Sequence, residues 1–148
     1  CLQGIIYTTG MLPIAVTAQS PPVSNKEIFI DVEETITWQM EMPNGAIAEC
    51  RTSYSGEYQN FLKAETDKGW FELNPAFSYD GIKSSTSDGK KLQFSKFSQQ
   101  AKQMDGIAIS IKNNQESIVP GEMGRRDMKI IEAIYKAMNT GKRVAIEW

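Results

Sequence analysis

The sharpest alternation of apolar and polar residues lies in the stretch TITWQMEMPNGAIAECRTSY, residues 35–54. Alternation with a period of two is typical of a half-buried β-strand, and Asn44-Gly45 in its middle favours the left-handed backbone of a tight turn. The pattern predicts a β-hairpin with Asn44-Gly45 as a two-residue loop. The cross-strand partners in that register are Met42 with Ile47, Met40 with Glu49, Trp38 with Arg51, Gln39 with Cys50 and Glu41 with Ala48.

The two faces of this predicted hairpin differ in the size of their side chains. One carries large amphipathic residues, and the other carries small ones, including Ala48 and Cys50. Because helices cover one side of an open sheet, we expect them on the small-residue side and the large face left open. Exposed apolar patches usually mark interfaces, so the predicted oligomer interface consists of Trp38, Met40, Met42, Ile47 and Arg51. The alternative is that this face is internal and packs under the helices.

Weaker patterns surround the hairpin. The opening CLQGIIYTTG has one apolar helical face and ends at Gly10, but it lacks a start signal, so we expect Cys1 to lie inside a longer natural protein. Residues 13–19 form a β-branched strand pattern before Pro21-Pro22. Shorter strand patterns separated by turns then predict an antiparallel meander made of NFLKAET, WFEL, SYDGIKS and KLQF.

Two helix patterns follow the meander. The first has Ser95 as a possible cap and apolar residues at spacings of four and three, namely Phe97, Ala101, Met104, Ala108 and Ile111. The second opens near Gly121-Glu122, ends before Gly141 and is predicted to bury Met128, Ile131, Ile134, Tyr135 and Met138. With the closing strand RVAIEW, the elements predict an α+β fold, an open and mainly antiparallel β-sheet with helices on one face.

Composition narrows the classes of function. The 148 residues, 41% hydrophobic and 23% charged, favour one domain, and a formal charge of −2 argues against nucleic acid or an anionic membrane as a partner. No apolar run is long enough to cross a bilayer. We assign the chain to the cytoplasm and keep the periplasm as the alternative.

The sequence contains no recognisable motif of a metal site, a cofactor site or a catalytic nucleophile. The chain has no histidine, and Cys1 and Cys50 lack ligand spacing, so we predict no metal site and interpret Cys50 as a small buried thiol. No glycine-rich cofactor loop or nucleophile motif occurs. Glu33 and Glu34 are interpreted as surface charges. The sequence therefore predicts no catalytic and no cofactor-binding residue in this chain.

Two long segments resemble a known family. GWFELNPAFSYDGI, residues 69–82, and VPGEMGRRDMKIIEAIYKAMNTGKRV, residues 119–144, resemble the second domain of Gfo/Idh/MocA-type oxidoreductases, the glucose-fructose oxidoreductase group. IDVEETITWQMEMPNGAIAEC and FSQQAKQMDGIAISI match the same domain. The resemblance covers nearly the whole chain.

The resemblance implies a role for residues 1–148 as the C-terminal substrate and oligomerisation domain of a two-domain oxidoreductase. The parent would bind NAD or NADP on an N-terminal Rossmann domain that this chain lacks, and would act on a sugar, polyol or related hydroxyl or carbonyl compound. Its catalytic residues would lie before Cys1, so this fragment alone is predicted to bind no cofactor and to be inactive. Related enzymes associate through the open sheet face, which implies a homodimer or a tetramer.

Four residues are candidates for the substrate-site wall. Tyr54 and Tyr79 each combine a flat ring with a hydroxyl, which suits sugars and polyols. Arg126 and Asp127 begin the last helix, where the family motif is strongest. Each candidate also has a structural interpretation: the tyrosines as packing residues at strand ends, and Arg126 and Asp127 as a local ion pair.

Two other functions compete with the oxidoreductase domain. The chain could be a stand-alone, non-enzymatic binding or assembly module, or a stand-alone enzyme that uses tyrosine or carboxylate chemistry. The coding sequence upstream of Cys1 discriminates between them, because a glycine-rich dinucleotide motif there would favour the oxidoreductase.

Overall fold

The computed structural model describes residues 2–56, 58–95 and 97–148 and divides the chain into two compact units, residues 1–57 with 121–148 and residues 58–120. All paired strands in both units are antiparallel, which confirms the α+β class. The single open sheet of the prediction is replaced by one sheet in each unit. In chain order the elements are α1 (Leu2–Thr9), β1 (Ala15–Gln19), β2 (Thr35–Glu41), β3 (Ile47–Ser53), β4 (Leu62–Thr66), β5 (Gly69–Leu73), β6 (Ser84–Thr86), α2 (Gln99–Lys112), α3 (Gly121–Thr140) and β7 (Val144–Ala145).

The first unit is a four-stranded sheet of order β3-β2-β1-β7 with α3 packed against it. Helix α1 ends as predicted, since Gly10 has a φ of +66° and its N–H donates to the Ile6 carbonyl at 2.8 Å. Cys1, which we expected to lie inside a longer protein, is outside the described residues. Strand β7 completes the sheet, so the predicted closing strand is confirmed.

The β2–β3 hairpin exists, but its predicted register is wrong by one residue. Met40 lies opposite Ala48, and Trp38 lies opposite Cys50. The loop has three residues, not two, because the Met42 N–H donates to the Ala46 carbonyl at 2.9 Å and Gly45 has a φ of +85°. Pro43 explains the change, because proline fixes the φ that suits the second position of a type I turn. A type I turn followed by a left-handed glycine makes a three-residue hairpin loop.

The shift in register moves the large and small residues of the hairpin to the same face. Trp38, Met40 and Met42 are 8%, 0% and 2% exposed and lie in the core with Cys50. The prediction that these three side chains form an open face is therefore wrong, and the alternative of an internal face is confirmed. The opposite face leaves Ile47 and Arg51 exposed.

Helix α3 supplies the other half of this core. Its buried residues are Ile130, Ala133, Ile134 and Ala137. Of the predicted set, Ile134 is buried and Ile131 and Met138 are partly buried, but Met128 and Tyr135 are exposed. The helix thus presents two isoleucines and two alanines to the sheet. The small residues that permit close packing come largely from the helix, and the large ones from β2.

The second unit is a three-stranded sheet of order β4-β5-β6 together with α2. The meander prediction is correct for β4 and β5, but SYDGIKS becomes a strand only from Ser84 and residues 91–94 form no strand. Strand β5 begins directly after the turn at Gly69, whose φ is +134°. Ser98, not Ser95, caps α2 by accepting from the Ala101 N–H.

The apolar stripe of α2 is exposed. Phe97, Met104 and Ile111 are 53%, 74% and 76% exposed, while the least exposed positions of the helix, Gly106 and Ser110, lie on the opposite side of the helical wheel. The stripe predicted from the sequence is thus correct in its spacing, but it is not buried within this chain. Among the described residues, no helix is long and apolar enough to cross a bilayer.

Candidate functional site

The first unit brings aromatic and carboxylate side chains together where β3 ends. Tyr54 directly follows β3 and is 85% exposed. Its ring centroid lies 6.2 Å from that of Phe29, in a tilted arrangement typical of aromatic pairs. Nearby, the Tyr135 hydroxyl of α3 donates to Glu33 Oε1 at 2.6 Å. That hydrogen bond raises the pKa of Tyr135, and partial burial and the Glu33 charge add to the shift.

The Glu34 side chain forms hydrogen bonds with two segments that are distant in the chain, at Ser24 and at Ser55. The hydroxyls of Ser24 and Ser55 both donate to Glu34 Oε1, and the Ser24 N–H donates to Oε2. The Tyr54 N–H donates to the Glu34 carbonyl at 2.9 Å, so the same residue also fixes the backbone of Tyr54. Glu34 is 6% exposed, and its interpretation as a surface charge is therefore wrong.

The Glu34 carboxylate is held in its charged form. The Ser55 hydroxyl, followed by the backbone and side chain of Ser24, lowers its pKa because all three donors stabilise the anion. A general acid or base at neutral pH needs the opposite shift. The Glu34 carboxylate thus holds Ser24 and Ser55 together, and its backbone carbonyl positions Tyr54.

Replacing Glu34 with glutamine should lower the unfolding midpoint at neutral pH, by an amount that shrinks in acid. Because the folded-state pKa lies below the ordinary value of 4.5, this contribution is fully present above 4.5 and is lost as the pH falls through the folded value. Urea midpoints of wild type and E34Q at about pH 7 and about pH 3 measure the difference. A gap that stays constant with pH would contradict the assignment.

Arg126 and Asp127 bind each other near the start of α3. The Arg126 Nε and Nη2 donate to Asp127 Oδ1 at 3.0 and 2.8 Å, and both side chains are mostly buried. The Gln3 side-chain amide of α1 donates to the second oxygen, Asp127 Oδ2, at 2.8 Å. This arrangement agrees with the interpretation as a local ion pair, and it joins α1 to α3.

Tyr79 belongs to the second unit, where it is 75% exposed. The same unit contains an open cleft of about 500 Å³ that the sequence analysis missed. The cleft combines aromatic rings with amide and carboxylate groups. Its lining residues are Tyr58, Gln59, Asn60, Phe61, Glu72, Asn74 and Pro75. Three of these seven residues, Glu72, Asn74 and Pro75, lie in GWFELNPAFSYDGI, the segment that also carries the family resemblance.

Cys50 is an inert thiol, as predicted. It is 9% exposed, and burial raises its pKa to about 12, far from the range in which a thiolate nucleophile forms at neutral pH. Within residues 2–56, 58–95 and 97–148, no group of three cysteine or acidic side chains has the geometry to hold a metal ion.

Comparisons with known proteins give one consistent set of relatives, although no family model matches the chain. The fold superposes on aldose-aldose oxidoreductase from Caulobacter crescentus, complexed with glycerol, with a TM-score of 0.88 and 33% identity over 98% of this chain. It superposes on scyllo-inositol dehydrogenase from Lactobacillus casei, with bound NAD(H) and scyllo-inositol, with a TM-score of 0.73 and 17% identity over 97% of this chain.

A curated relative agrees with the structural neighbours. D-xylose 1-dehydrogenase (NADP+) 2 from Haloferax volcanii is 23% identical over 122 residues, which cover 78% of this chain and 38% of that protein. The chain likewise spans 44% of the aldose-aldose oxidoreductase and 45% of the inositol dehydrogenase. This chain is therefore similar, over 78% to 98% of its length, to less than half of each relative.

Proposed function

Because the chain has the fold and sequence features of the C-terminal domain of Gfo/Idh/MocA-type oxidoreductases, we propose that it is that domain of an NAD(P)-dependent oxidoreductase. The observation that carries the proposal is the match to an aldose-aldose oxidoreductase, 33% identical over 98% of this chain. The parent acts on a sugar, a polyol or a related hydroxyl or carbonyl compound. The nicotinamide cofactor, NAD or NADP, binds to the part of the parent outside this chain.

The domain's part in the reaction is to form one wall of the substrate site. Tyr54 and Tyr79 are its proposed contacts, because each presents an exposed ring and a hydroxyl. Glu34 and Phe29 hold Tyr54 in place. Arg126 and Asp127 use much of their hydrogen-bonding capacity on each other and on Gln3. Their proposed role is therefore to hold α3 against α1.

Turnover by the parent protein tests this proposal. The parent is incubated with NAD or NADP and a panel of aldoses and inositols, and the absorbance of the reduced nicotinamide is followed. We expect reduction that depends on both cofactor and polyol. In the Tyr54→Phe and Tyr79→Phe variants, loss of a substrate hydrogen bond should lower kcat/KM about tenfold, whereas Tyr7→Phe on α1 should match wild type. Absence of turnover with the whole panel would contradict the substrate class.

The exposed face of the four-stranded sheet is the proposed oligomer interface. With Trp38, Met40 and Met42 in the core, the face available to a second copy carries Ile47 and Arg51 on the edge strand β3. Ile47 is 52% exposed there. The neighbouring polar residues are already paired, since Gln39 donates to Glu49 at 3.1 Å and Arg143 binds Glu41 through two bonds of 2.7 Å. A face whose polar groups are paired with each other packs against its own copy at a lower desolvation cost than one whose polar groups are unpaired.

Replacing Ile47 with glutamate is expected to convert a dimer into a folded monomer, because the new charges would face each other or be buried at the contact. Light scattering after size exclusion gives the mass, and circular dichroism confirms the fold. Ile28→Glu, at an exposed loop position of the same unit, is the matched control and should remain dimeric. A monomeric wild type, or a dimeric I47E, would refute this interface.

A further inference from the structure

The cleft of the second unit has the composition of a site for neutral polyhydroxylated rings. Aromatic side chains stack on the apolar faces of such rings, while amides and carboxylates bind their hydroxyls. Tyr58 and Phe61 supply exposed rings, and Gln59, Asn74 and Glu72 supply polar groups. The volume of about 500 Å³ lies within the usual range of small-molecule sites.

The framework of the cleft is fixed by Asn60. Its Oδ1 accepts from the N–H groups of Ala76 and Phe77 at 3.1 and 2.7 Å, and its carbonyl accepts from the Ala76 N–H at 2.8 Å. Asn60 Nδ2 donates to the Tyr58 hydroxyl at 2.8 Å. These bonds hold the loop after Pro75 and the Tyr58 ring in place before a ligand arrives, which reduces the ordering cost of binding.

The polar groups of the cleft can still form hydrogen bonds with a ligand. The Tyr58 hydroxyl accepts from Asn60, so its own proton can be donated. Glu72 accepts from the Asn74 amide at 3.4 Å through Oε1, and a carboxylate has about four lone-pair sites. Lys63, the cross-strand partner of Glu72, has its ammonium group 2.7 Å from Glu65 instead. Glu72 can therefore accept from two neighbouring hydroxyls of one ring.

The charge of the cleft selects among ligands. Among the residues that the structure describes, its lining contains one carboxylate and no basic residue, which disfavours phosphates, nucleotides and sugar acids. A purely apolar ring would displace water from the amides and the carboxylate and would offer them no hydrogen bonds in return. A neutral ring with several hydroxyls satisfies both the aromatic and the polar groups.

We infer that this cleft binds a neutral monosaccharide or cyclic polyol, with the ring against Tyr58 and neighbouring hydroxyls on Glu72. The inference rests on the proposed function only for the choice of probe, since the cleft's own residues define the ligand class. Binding here requires no nicotinamide cofactor.

The test is a titration of the 148-residue chain with myo-inositol, followed by saturation-transfer NMR. We expect saturable binding with a dissociation constant of about 1–10 mM. Cyclohexanol, a ring of the same size with one hydroxyl, should bind at least about tenfold more weakly. Tyr58→Ala and Glu72→Gln should each weaken inositol binding about tenfold.

Matched controls separate the cleft from general surface effects. Tyr7→Ala removes another highly exposed tyrosine, and Asp67→Asn removes an exposed carboxylate from the turn between β4 and β5, so both should bind within about twofold of wild type. Because Glu72→Gln preserves shape, an unchanged urea midpoint confirms that lost binding is not lost folding.

Three results would overturn the inference: no saturable binding by wild type, equal binding of cyclohexanol, or wild-type affinity in both cleft variants. Each leaves the turnover assay of the parent unaffected. A negative result for inositol binding in the cleft can thus be distinguished from a negative result for the oxidoreductase proposal.

Discussion

Replacing Trp38 with glutamate is expected to unfold the first unit. Trp38 is 8% exposed and packs in the same cluster as Met40 and Ile134. The substitution removes a large apolar side chain and brings a carboxylate into a core that offers it no counter-charge among its members. Burying an unpaired charge costs several kcal/mol. We expect a loss of more than about 4 kcal/mol, a large share of the roughly 5–15 kcal/mol that is typical of one domain.

The matched substitution on the other face of the hairpin is Ile47→Glu. The Ile47 side chain is 52% exposed. The I47E variant should therefore retain a cooperative urea transition, with a free energy of unfolding within about 1 kcal/mol of that of the wild-type monomer. Circular dichroism of both variants measures the contrast directly. A folded W38E with an unfolded I47E would contradict the assignment of Trp38 to the core and of Ile47 to the exposed face.

Truncation of Ile130 to alanine should cost about 2–5 kcal/mol, the range for large-to-small changes in a packed core. Ile130 is 0% exposed and faces the sheet from α3. Met128 lies two residues earlier on the same helix and is 54% exposed. Met128→Ala is therefore the matched control, and it should change stability by less than about 0.5 kcal/mol.

If the m-value is unchanged, the urea midpoints of I130A and M128A give the change in the free energy of unfolding for each variant. The comparison is sensitive to the rotation of α3, because the sequence pattern assigned Met128 to the core. A larger loss for M128A than for I130A would show that the helix packs through the face predicted from its large apolar residues.

The hairpin shows how far local sequence reasoning reaches. Alternation and Asn44-Gly45 locate both strands and the turn, because strand periodicity and glycine's positive φ are local properties. The register depends on whether Pro43 belongs to the strand or to the loop. That single residue changes which side chains share a face, since a shift of one residue reverses every side chain.

Helix α3 shows a second limit. Its span follows from local signals at Gly121 and Gly141, and the structure confirms both ends. Its buried face follows only in part, because α3 packs on the sheet through two alanines as well as through Ile130 and Ile134. Packing density is a property of both partners, so ranking the residues of one helix by size finds Ile134 but wrongly adds Met128 and Tyr135 and omits the alanines.

The candidate sites are non-local, and the sequence could predict them only in part. Glu34 bonds to Ser24 and Ser55, which lie on opposite sides of it in the chain and share no periodic pattern with it. The cleft likewise joins residues on both sides of β4 and β5. The adjacent pair Arg126-Asp127 was identified, because its contact is local. A search for polar residues beside turn-forming Asn-Pro would have selected Asn74, but not its partners.

The central claim is that this chain is the C-terminal domain of a nicotinamide-dependent oxidoreductase whose cofactor binds elsewhere in the parent. A fluorescence titration of NADH and NADPH against the 148-residue chain and, in parallel, against the parent protein tests it most directly. The account predicts saturable micromolar binding of one dinucleotide by the parent and none by this chain, which lacks a glycine-rich turn at a helix N-terminus. Saturable binding by this chain alone, or no binding by the parent, would contradict it.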